Sequence, residues 1–474
     1  MERQVHPERL LHPERRTKAG WERLGRNAAL DLAAERLGRA RDEHGPLFVL
    51  ALSYSGLHTG VARVLWRRFW AHFGGATLTR GGLSVEAVAA AQEMDFGGDA
   101  THDPEDLVNA RAIVAWGKNP LVTRPHWAPF LKEARRRGAI LAVVDPVRTA
   151  TARFADRWHR IRPGTDGVLA LAVARRLIER EAIDRAFVAE HTRGFAAFRR
   201  LAFARTIGEA ARATDLAAAE IEALAELYAT RRPFATAAGL GPAYYASGAA
   251  QVRCIDALAA LTGNLGVPGG GAHTDLLRNF GLDRSVLADL PAGAERTRLL
   301  PRLGAQMRAA ASPPIRVAYV AGANPAATAP RTDEVLAALR ALDFVVAVDQ
   351  FPTATSAAAH LRLPCTTYLE MDDLVTAYGH NWLGVTQRGA TPRRMPDRRR
   401  DPAGARRAAR LRRCPARHAG RVDGAPARAA RRCRREPAPR GPSHRCRRGS
   451  RHARDVRLGV RGRAGAVTIA QRGG

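Results

Sequence analysis

Two polar turns, each directly after an apolar run, hold the residues best suited to bind a ligand. The first turn, Trp116 to Pro120, follows residues 112–115, and the second, Asp145-Pro146, follows residues 140–144. A helix-compatible segment lies between them, so we predict a βαβ unit with two parallel strands that are buried on both faces. Ligands in such sheets bind beyond the carboxyl ends of the strands. The two turns therefore predict a nucleotide-like ligand.

The residue types at these turns suit such a ligand. Gly117 allows close approach of the backbone to a bound group. Nearby hydroxyl and carboxylate groups can accept or donate hydrogen bonds. They belong to Thr123, Thr149, Thr165, Asp145 and Asp166.

A second copy of the pattern lies about 200 residues later in the chain. A predicted strand over 317–320 leads to Gly322 and Asn324-Pro325, and a helix is predicted after Thr332. A further strand over 344–348 ends in Asp349-Gln350. WGKNP with VVDP, and AGANP with AVDQF, are two versions of one ligand-binding pattern. An enzyme that holds two similar dinucleotides related by a pseudo-twofold axis would have such a sequence.

Three linked motifs identify a family. The segments WGKNPLVTRPH, VVDPVRTATARFAD and IRPGTDGVLALAV occur in this order between residues 116 and 173. They resemble the molybdopterin-guanine-dinucleotide oxidoreductases, the dimethyl-sulfoxide-reductase superfamily that includes formate dehydrogenases, nitrate reductases and polysulfide or thiosulfate reductases. The resemblance covers about residues 5–385 and is firmest over 112–178 and 316–350.

The resemblance implies a cofactor and a reaction class. The cofactor is one molybdenum or tungsten atom held by two molybdopterin guanine dinucleotides (bis-MGD). The reaction is a two-electron oxidation or reduction of a small-molecule substrate, by oxygen-atom or hydride transfer at the metal, and the cofactor carries the difficult chemistry.

The resemblance also assigns binding residues to the two turns. Arg148 would pair with a diphosphate through its planar guanidinium group, and the aspartates would accept hydrogen bonds from guanine or ribose. The alternative for any one of these residues is a structural role at a strand end or a helix cap. The first dinucleotide is assigned Trp116, Gly117, Asn119, Thr123, Asp145, Arg148, Thr149, Gly164 and Asp166, and the second Gly322, Asn324, Asp349 and Gln350.

One side chain of the protein commonly binds the metal in this superfamily. Relatives carry a cysteine after Gly-Ser-Leu, and the matching position here is Ser84, after Gly82-Leu83. A serine alkoxide is a hard oxygen donor, and a bound metal lowers the pKa of a coordinated oxygen. The alternative is that Ser84 caps a helix predicted over 85–92.

The positive charge of the chain is concentrated in its last 87 residues. The net charge is +31, but residues 388–474 hold 28 Arg and 5 acidic residues, which leaves +8 for residues 1–387. This tail has no aromatic residue and no periodicity, so we expect it to be disordered. Its composition is typical of a GC-rich coding sequence read out of frame. The alternative is an Arg-rich tail that binds nucleic acid, which we consider the weaker interpretation.

The family's iron–sulfur segment and its C-terminal closing domain are not found in this sequence. We therefore expect no iron–sulfur cluster in this chain as written, and we interpret the chain as a fragment. A partner subunit with iron–sulfur clusters would then carry the electrons. A further alternative is a non-catalytic remnant of such an enzyme. No membrane-spanning or signal segment is evident, so a cytoplasmic location is expected for the chain as written, unless a twin-arginine signal was lost with the N-terminus.

The expected fold is α/β, with two Rossmann-like domains of mostly parallel strands related by a pseudo-twofold axis. Domain A is expected to consist of residues 1–80 and 313–387, and domain B of residues 81–312. Residues 388–474 are the expected basic tail.

Overall fold

A computed structural model of the protein describes residues 6–57, 60–98, 103–274, 289–375, 382–389, 443–445 and 467–468. The expectation of a disordered tail falls on residues that, apart from the few just named, lie outside the described part. The strands, in chain order, are β1 (Glu14–Thr17), β2 (Gly20–Arg23), β3 (Val49–Ser53), β4 (Gly75–Arg80), β5 (Ala112–Trp116), β6 (Ile140–Val144), β7 (Arg157–His159), β8 (Thr192–Arg193), β9 (Phe234–Ala238), β10 (Gly271–His273), β11 (Ala294–Leu299), β12 (Val317–Ala321), β13 (Phe344–Asp349), β14 (Leu361–Pro364), β15 (Asp373–Val375), β16 (Trp382–Thr386), β17 (Ser443–Arg445) and β18 (Val467–Thr468).

The α-helices alternate with these strands. Within the described ranges they are α1 (Arg26–His44), α2 (Gly60–Phe73), α3 (Glu86–Phe96), α4 (Pro120–Thr123), α5 (Ala128–Arg136), α6 (Ala150–Phe154), α7 (Asp166–Glu179), α8 (Arg185–His191), α9 (Phe195–Phe203), α10 (Ile207–Thr214), α11 (Ala218–Thr230), α12 (Gly248–Leu261), α13 (Leu303–Arg308), α14 (Pro325–Thr328), α15 (Thr332–Arg340) and α16 (Ala354–Ala357). None of these helices combines the length and the apolar character needed to cross a membrane.

The chain divides into two compact units. Among the described residues, unit 1 holds those up to Leu83 and those over 289–375, 382–389 and 443–445, and unit 2 holds those over 84–274 and 467–468. Domain B was expected to continue to residue 312, but β11 pairs with β4 along its whole length and so belongs to unit 1. This strand, with the sequence AERTRL, is only partly buried at the edge of its sheet. Its polar residues therefore gave no strand signal.

Unit 1 contains an eight-stranded sheet in the order β11-β4-β3-β12-β13-β14-β1-β2. The strands from β11 to β14 are parallel, whereas β1 and β2 add antiparallel at one edge. Alternate residues of β3 and β12 face opposite sides. Leu50 and Val320 pack in one apolar cluster with α13 and α15, and Val49 and Val317 pack in the other with α1 and α2. Both faces are covered, as parallel sheets require.

Unit 2 contains a five-stranded, fully parallel sheet in the order β10-β9-β5-β6-β7. All five residues of β5 and of β9 are buried. Val114 and Trp116 of β5 face the large cluster formed with α7 and α9 to α12, while Ile113 faces the cluster formed with α5. Continuous apolar strands are thus explained by helices on both faces.

The two units share one strand order. In unit 2 it is β10-β9-β5-β6-β7, and in unit 1 the matching five parallel strands are β4-β3-β12-β13-β14. The chain visits them in permuted order, because β3 and β4 come first in unit 1 whereas β9 and β10 come last in unit 2. The repeated turns therefore occupy equivalent strands, β5 and β12. The predicted pseudo-twofold axis stays a prediction.

Candidate functional site

The turn after β5 is held by the side chain of Asn119. Its Oδ1 accepts hydrogen bonds from the Thr151 hydroxyl at 2.8 Å and from the Thr151 backbone N–H at 3.2 Å. The same hydroxyl accepts a bond from the backbone N–H of Leu121 at 3.2 Å. Thr151 lies in α6, which follows β6, so the carboxyl ends of two neighbouring strands are tied together.

The turn after β12 in unit 1 has the same arrangement. Asn324 Oδ1 accepts a hydrogen bond from the Thr355 hydroxyl at 2.6 Å, and this hydroxyl accepts one from the Ala326 backbone N–H at 3.0 Å. Thr355 lies in α16, which follows β13. The asparagine–threonine pair is therefore part of the repeated design and is not specific to one unit.

Glycines bring a third strand end close to each turn. Gly117 and Gly322 have φ angles of +55° and +63°, a left-handed conformation that disfavours other residues. Gly239, after β9, donates a hydrogen bond from its backbone N–H to Trp116 O at 2.7 Å, and Gly56, after β3, donates one to Gly322 O at 2.9 Å. A Cβ atom on Gly239 or Gly56 would overlap backbone atoms of the turn.

An aspartate ends or directly follows the neighbouring strand on the other side of each turn. Asp145 Oδ1 accepts a hydrogen bond from the Val147 backbone N–H at 2.8 Å, and Asp349 Oδ1 accepts one from Gln350 at 2.7 Å. Burial raises the pKa of Asp145, and the Val147 N–H opposes this rise. Asp145 is thus a carboxylate with limited access to water. In unit 1, the backbone oxygen of Gln350 also accepts a hydrogen bond from the Leu10 N–H.

Two of the predicted ligand residues bind each other. The Trp116 indole, which is 0% exposed, donates from Nε1 to Asp166 Oδ1 at 2.8 Å. Burial raises the pKa of Asp166, and the hydrogen bond from Trp116 partly offsets this rise. This pair connects β5 to the first turn of α7. Its role here is to position these two elements, and any contact with a cofactor stays a prediction.

The other predicted residues of the first turn lie on the surface of unit 2. Arg148 is exposed, with its guanidinium 5.8 Å from the ring centre of Trp158. Thr123 is exposed, and its hydroxyl donates to Asn119 O. Thr149 caps α6 by accepting from Ala152 N–H at 3.1 Å. Gly164 has a φ angle of +79°.

Ser84 is exposed and lies two residues before the first residue of α3. The helix begins at Glu86, and its N-cap residue is Val85, which makes no side-chain capping bond. The alternative that Ser84 caps this helix is therefore wrong, and metal ligation by Ser84 stays a prediction. Within the described ranges, no three His, Cys, Asp or Glu side chains are grouped so as to hold a metal ion.

The helix that follows Ser84 is anchored by buried polar contacts to α12. Gln92 donates to Asp256 at 2.6 Å, and Arg253 donates to Asp95 at 2.7 Å. Burial raises the pKa of Asp95 to about 7, although Arg253 acts to lower it. These contacts fix α3 on a long helix of the core of unit 2.

The amino end of α2 contacts a carboxylate of the protein. In the structure, Asp373 Oδ1 accepts a hydrogen bond from the Val61 backbone N–H at 2.7 Å. The burial of this carboxylate raises its pKa, against the effect of its backbone hydrogen bonds. A carboxylate of the protein itself thus lies at this helix end.

A family model described as molybdopterin oxidoreductase matches residues 9–388. The chain belongs to this family. The family assignment made from the three motifs is confirmed, and it carries with it a molybdenum- or tungsten-pterin cofactor and an oxidoreductase character as properties of the family.

Similar proteins agree with this assignment. The chain is 32% identical over 371 residues to probable oxidoreductase YyaE of Bacillus subtilis (strain 168), which covers 78% of this chain and 55% of the relative. It is 28% identical over 408 residues to formate dehydrogenase H of Escherichia coli (strain K12), which covers 79% and 56%. The chain thus spans just over half the length of these relatives.

A solved structure shows the same fold. Acetylene hydratase from Pelobacter acetylenicus is similar with a TM-score of 0.68 and 22% sequence identity, over 86% of this chain and 62% of that one. At this identity the likeness concerns the fold alone.

The residues of this molybdopterin oxidoreductase chain suit an elongated polar cofactor. The carboxyl edge of the unit 2 sheet combines a close backbone approach at Gly117 with the carboxylate of Asp145 and the exposed guanidinium of Arg148. Exposed apolar and aromatic side chains lie at the same edge, after β5, β6 and β9. They are Val122, Val147, Tyr244 and Tyr245.

Sequence reasoning missed several of these residues. Thr151 and Thr355 were not selected, although the triplet Thr-Ala-Thr occurs in both copies, at 149–151 and 353–355. Tyr245 was also missed. Its ring lies so close to Gly164 that a Cβ atom there would be 3.0 Å from Tyr245 Cδ1, a contact that no sequence pattern indicates.

Proposed function

We propose that this chain binds a molybdenum or tungsten bis(molybdopterin guanine dinucleotide) cofactor and forms part of an oxidoreductase acting on a small-molecule substrate. The observation that carries the proposal is the duplicated turn. Each unit places a Gly-x-Asn-Pro turn at the carboxyl end of a central parallel strand, between a glycine-ended strand and an aspartate-ended strand. Ligands bind at such sheet edges, and two equivalent edges suit two equivalent dinucleotides.

The side chains divide into binding and positioning roles. In unit 2, Asp145 accepts hydrogen bonds from guanine or ribose, Arg148 pairs with the diphosphate, and Tyr245 provides an aromatic face for the base. In unit 1, Asp349 and Gln350 take the corresponding polar roles. The backbones of Gly117 and Gly322 approach the ligand, while Thr123, Thr149 and Gly164 shape the first edge.

Ser84 is proposed as the protein ligand of the metal. It is exposed at the start of α3, and the buried contacts of Gln92 and Asp95 with α12 hold this helix in place. When bound, the cofactor supplies two-electron redox chemistry. The chain's own residues bind and orient it, and a partner protein with iron–sulfur clusters is proposed to exchange electrons with it.

The proposal is tested by cofactor content and by ligand binding. Protein purified from cells supplied with molybdate or tungstate is assayed for metal and for guanine nucleotide released by acid. Binding of guanosine diphosphate to the cofactor-free chain is measured by calorimetry. We expect both the metal and the nucleotide to be present, and Tyr245→Ala to weaken binding more than Tyr245→Phe does, since the phenylalanine keeps an aromatic face.

The control is Leu201→Ala, because Leu201 is an exposed apolar residue within α9 and not in a loop that follows β5, β6 or β9. It is expected to bind guanosine diphosphate as the unmodified chain does. The absence of metal, of guanine nucleotide and of guanosine diphosphate binding together would overturn the proposed function.

A further inference from the structure

Two buried threonines have a role that the proposed function does not describe. Thr151 and Thr355 are 0% and 1% exposed, and each lies two residues after the threonine that caps its helix. Neither side chain is accessible to a bound ligand in this structure. Their effect on a ligand must therefore be exerted through the asparagines that they contact.

The direction of the hydrogen bonds defines the orientation of each asparagine. A threonine hydroxyl has one proton to donate. Because each hydroxyl already accepts from a backbone N–H, of Leu121 or Ala326, its proton is directed to the asparagine side chain. In the first turn, the Thr151 backbone N–H also donates to Asn119 Oδ1, and an N–H can only meet the oxygen of a carboxamide.

The oxygen of each carboxamide is thus turned toward its threonine, and the NH2 group is turned away from it. Both asparagines are half-buried residues. Among the described residues, no acceptor is found for the Nδ2 of Asn119 or Asn324, although each Oδ1 is bonded. A carboxamide NH2 group without an acceptor in the protein is available to donate to a ligand oxygen.

We propose that Thr151 and Thr355 are positioning residues that present the NH2 groups of Asn119 and Asn324 to acceptor oxygens of the ligand. Each threonine fixes the carboxamide before binding, which reduces the entropy lost when the ligand is bound. The identity of the ligand, a guanine dinucleotide, rests on the proposed function. The orientation of the asparagines rests on the hydrogen bonds alone.

We call the hydrogen bond from each threonine hydroxyl to the asparagine Oδ1 the asparagine clamp. The test uses variants that separate this clamp from the NH2 donor of the asparagine. Thr151→Val keeps the shape of the side chain but removes the hydroxyl, and we expect it to weaken guanosine diphosphate binding about tenfold. Thr151→Ser restores the hydroxyl and the binding. Asn119→Asp keeps an oxygen for the threonine but replaces the NH2 donor, so it loses binding while the clamp remains. Thr355→Val and Asn324→Asp test the second turn in the same way.

The matched control is Thr214→Val. Thr214 is also fully buried, but its hydroxyl donates to Ala210 O within α10, so this variant is expected to bind guanosine diphosphate as the unmodified chain does. Amide hydrogen exchange provides a readout that is independent of the ligand. We expect faster exchange at the Leu121 N–H in Thr151→Val, and unchanged exchange there in Asn119→Asp.

The outcomes separate this inference from the proposed function. If the unmodified chain binds no guanosine diphosphate, the proposed function fails, and exchange at Leu121 and Ala326 still decides whether the threonine hydroxyls hold the two turns. If the unmodified chain binds and folded Thr151→Val and Thr355→Val bind equally well, the positioning role is wrong. It is also wrong if Asn119→Asp and Asn324→Asp bind as tightly as the unmodified chain.

Discussion

The turn after β5 and the turn after β12 have the same backbone arrangement but different neighbouring side chains. Both have a left-handed glycine, an asparagine held by a buried threonine, and a glycine from the adjacent strand end. Around the first turn the side chains are large. Trp116 precedes its glycine, and the buried Lys118 follows it, with the ammonium 4.6 Å from the ring centre of Trp127.

The second turn has small residues at the matching places. Ala321 precedes Gly322, and Ala323 follows it. In the loop after the aspartate, the position of Arg148 is occupied by Pro352, three residues after Asp349. At these matched positions the first edge therefore has a cation and an indole, where the second has Pro352 and Ala321.

The shared and the differing residues have separate physical roles. The shared residues are those that the backbone needs to bring three strand ends together, because their contacts are glycine approaches and side-chain bonds to the backbone. The differing residues project charge or bulk around that framework. We infer that the framework determines where a ligand lies, whereas the surrounding side chains distinguish one ligand from the other.

The largest expected effect comes from the glycines of the shared framework. A Cβ atom in Gly239→Ala would overlap Gly117 O, and one in Gly56→Ala would lie 2.6 Å from Gly322 O. Since these are backbone atoms, we expect each variant to lower the free energy of unfolding by about 3 kcal/mol, as overpacking does. Denaturant unfolding followed by circular dichroism measures the loss.

Gly38→Ala is the control for this pair. Gly38 lies within α1, and a Cβ atom added there would meet no neighbouring atom within 4 Å, so alanine should stabilise the helix by up to about 1 kcal/mol. A loss of only about 0.5 kcal/mol in Gly239→Ala, as for an ordinary surface substitution, would show that the strand ends are not closely joined.

The next largest effect concerns the hydrogen bond between Trp116 and Asp166, since the second turn has Ala321 in place of the tryptophan. Trp116→Phe keeps most of the packing but removes the donor to Asp166, and an ionised carboxylate left without this bond costs about 1–3 kcal/mol. Burial raises the folded-state pKa of Asp166 above its unfolded value, and losing the indole raises it further. The cost is therefore expressed as the pH rises through the raised folded-state pKa of Asp166, where the carboxylate ionises in the folded chain, and it is lost in acid, where Asp166 is protonated with or without the indole.

Thermal unfolding at several pH values, with the double variant Trp116→Phe/Asp166→Asn, tests this expectation. The two substitutions should be strongly non-additive, because both remove the same hydrogen bond. A cost that is independent of pH would assign the effect of Trp116→Phe to packing instead.

A smaller effect separates the stability of the first edge from its function. Burial raises the pKa of Asp145, so its ionised form destabilises the folded chain above the unfolded pKa. Asp145→Asn removes this cost and keeps an oxygen for the Val147 N–H, so it should raise the free energy of unfolding at neutral pH by up to about 1 kcal/mol. The gain should vanish in acid.

The same variant should weaken guanosine diphosphate binding, because the neutral amide is a poorer acceptor than a carboxylate. Binding to the unmodified chain should also weaken as the pH falls through the raised pKa of Asp145. Calorimetry over this pH range decides the point. Tighter binding by Asp145→Asn would exclude the carboxylate as a ligand group.

Much of the central fold was predictable from sequence. The strands predicted over 112–115, 140–144, 317–320 and 344–348 are present with ends within one residue. These elements are apolar because both faces of a parallel sheet are covered, and burial leaves a clear signal. The edge strand β11 has no such signal, since its polar residues are only partly buried.

The site was predictable in outline but not in its contacts. The repeated turns indicated two equivalent sheet edges, and the equivalent strand orders agree with this. Whether Trp116 faces a ligand or the core depends on a bond to Asp166, 50 residues away, which local pattern does not reveal. The asparagine clamps, formed over 32 and 31 residues, were missed for the same reason.

The smallest expected effect tests the charge that distinguishes the two edges. Arg148 is exposed, so screening limits its contribution to binding a diphosphate to about 1 kcal/mol or less. Arg148→Ala should weaken guanosine diphosphate binding by up to about fivefold at low ionic strength, and the difference should shrink as salt is added. Arg148→Lys should bind guanosine diphosphate more weakly than the unmodified chain but more tightly than Arg148→Ala, because it keeps the charge but loses the planar fork.

Arg316→Ala removes an exposed arginine that pairs with Asp343 away from both turns, and it should leave binding unchanged. If Arg148→Ala and Arg316→Ala behave alike at every salt concentration, the cation at the first edge does not distinguish it from the second, and the difference between the edges must come from their uncharged side chains.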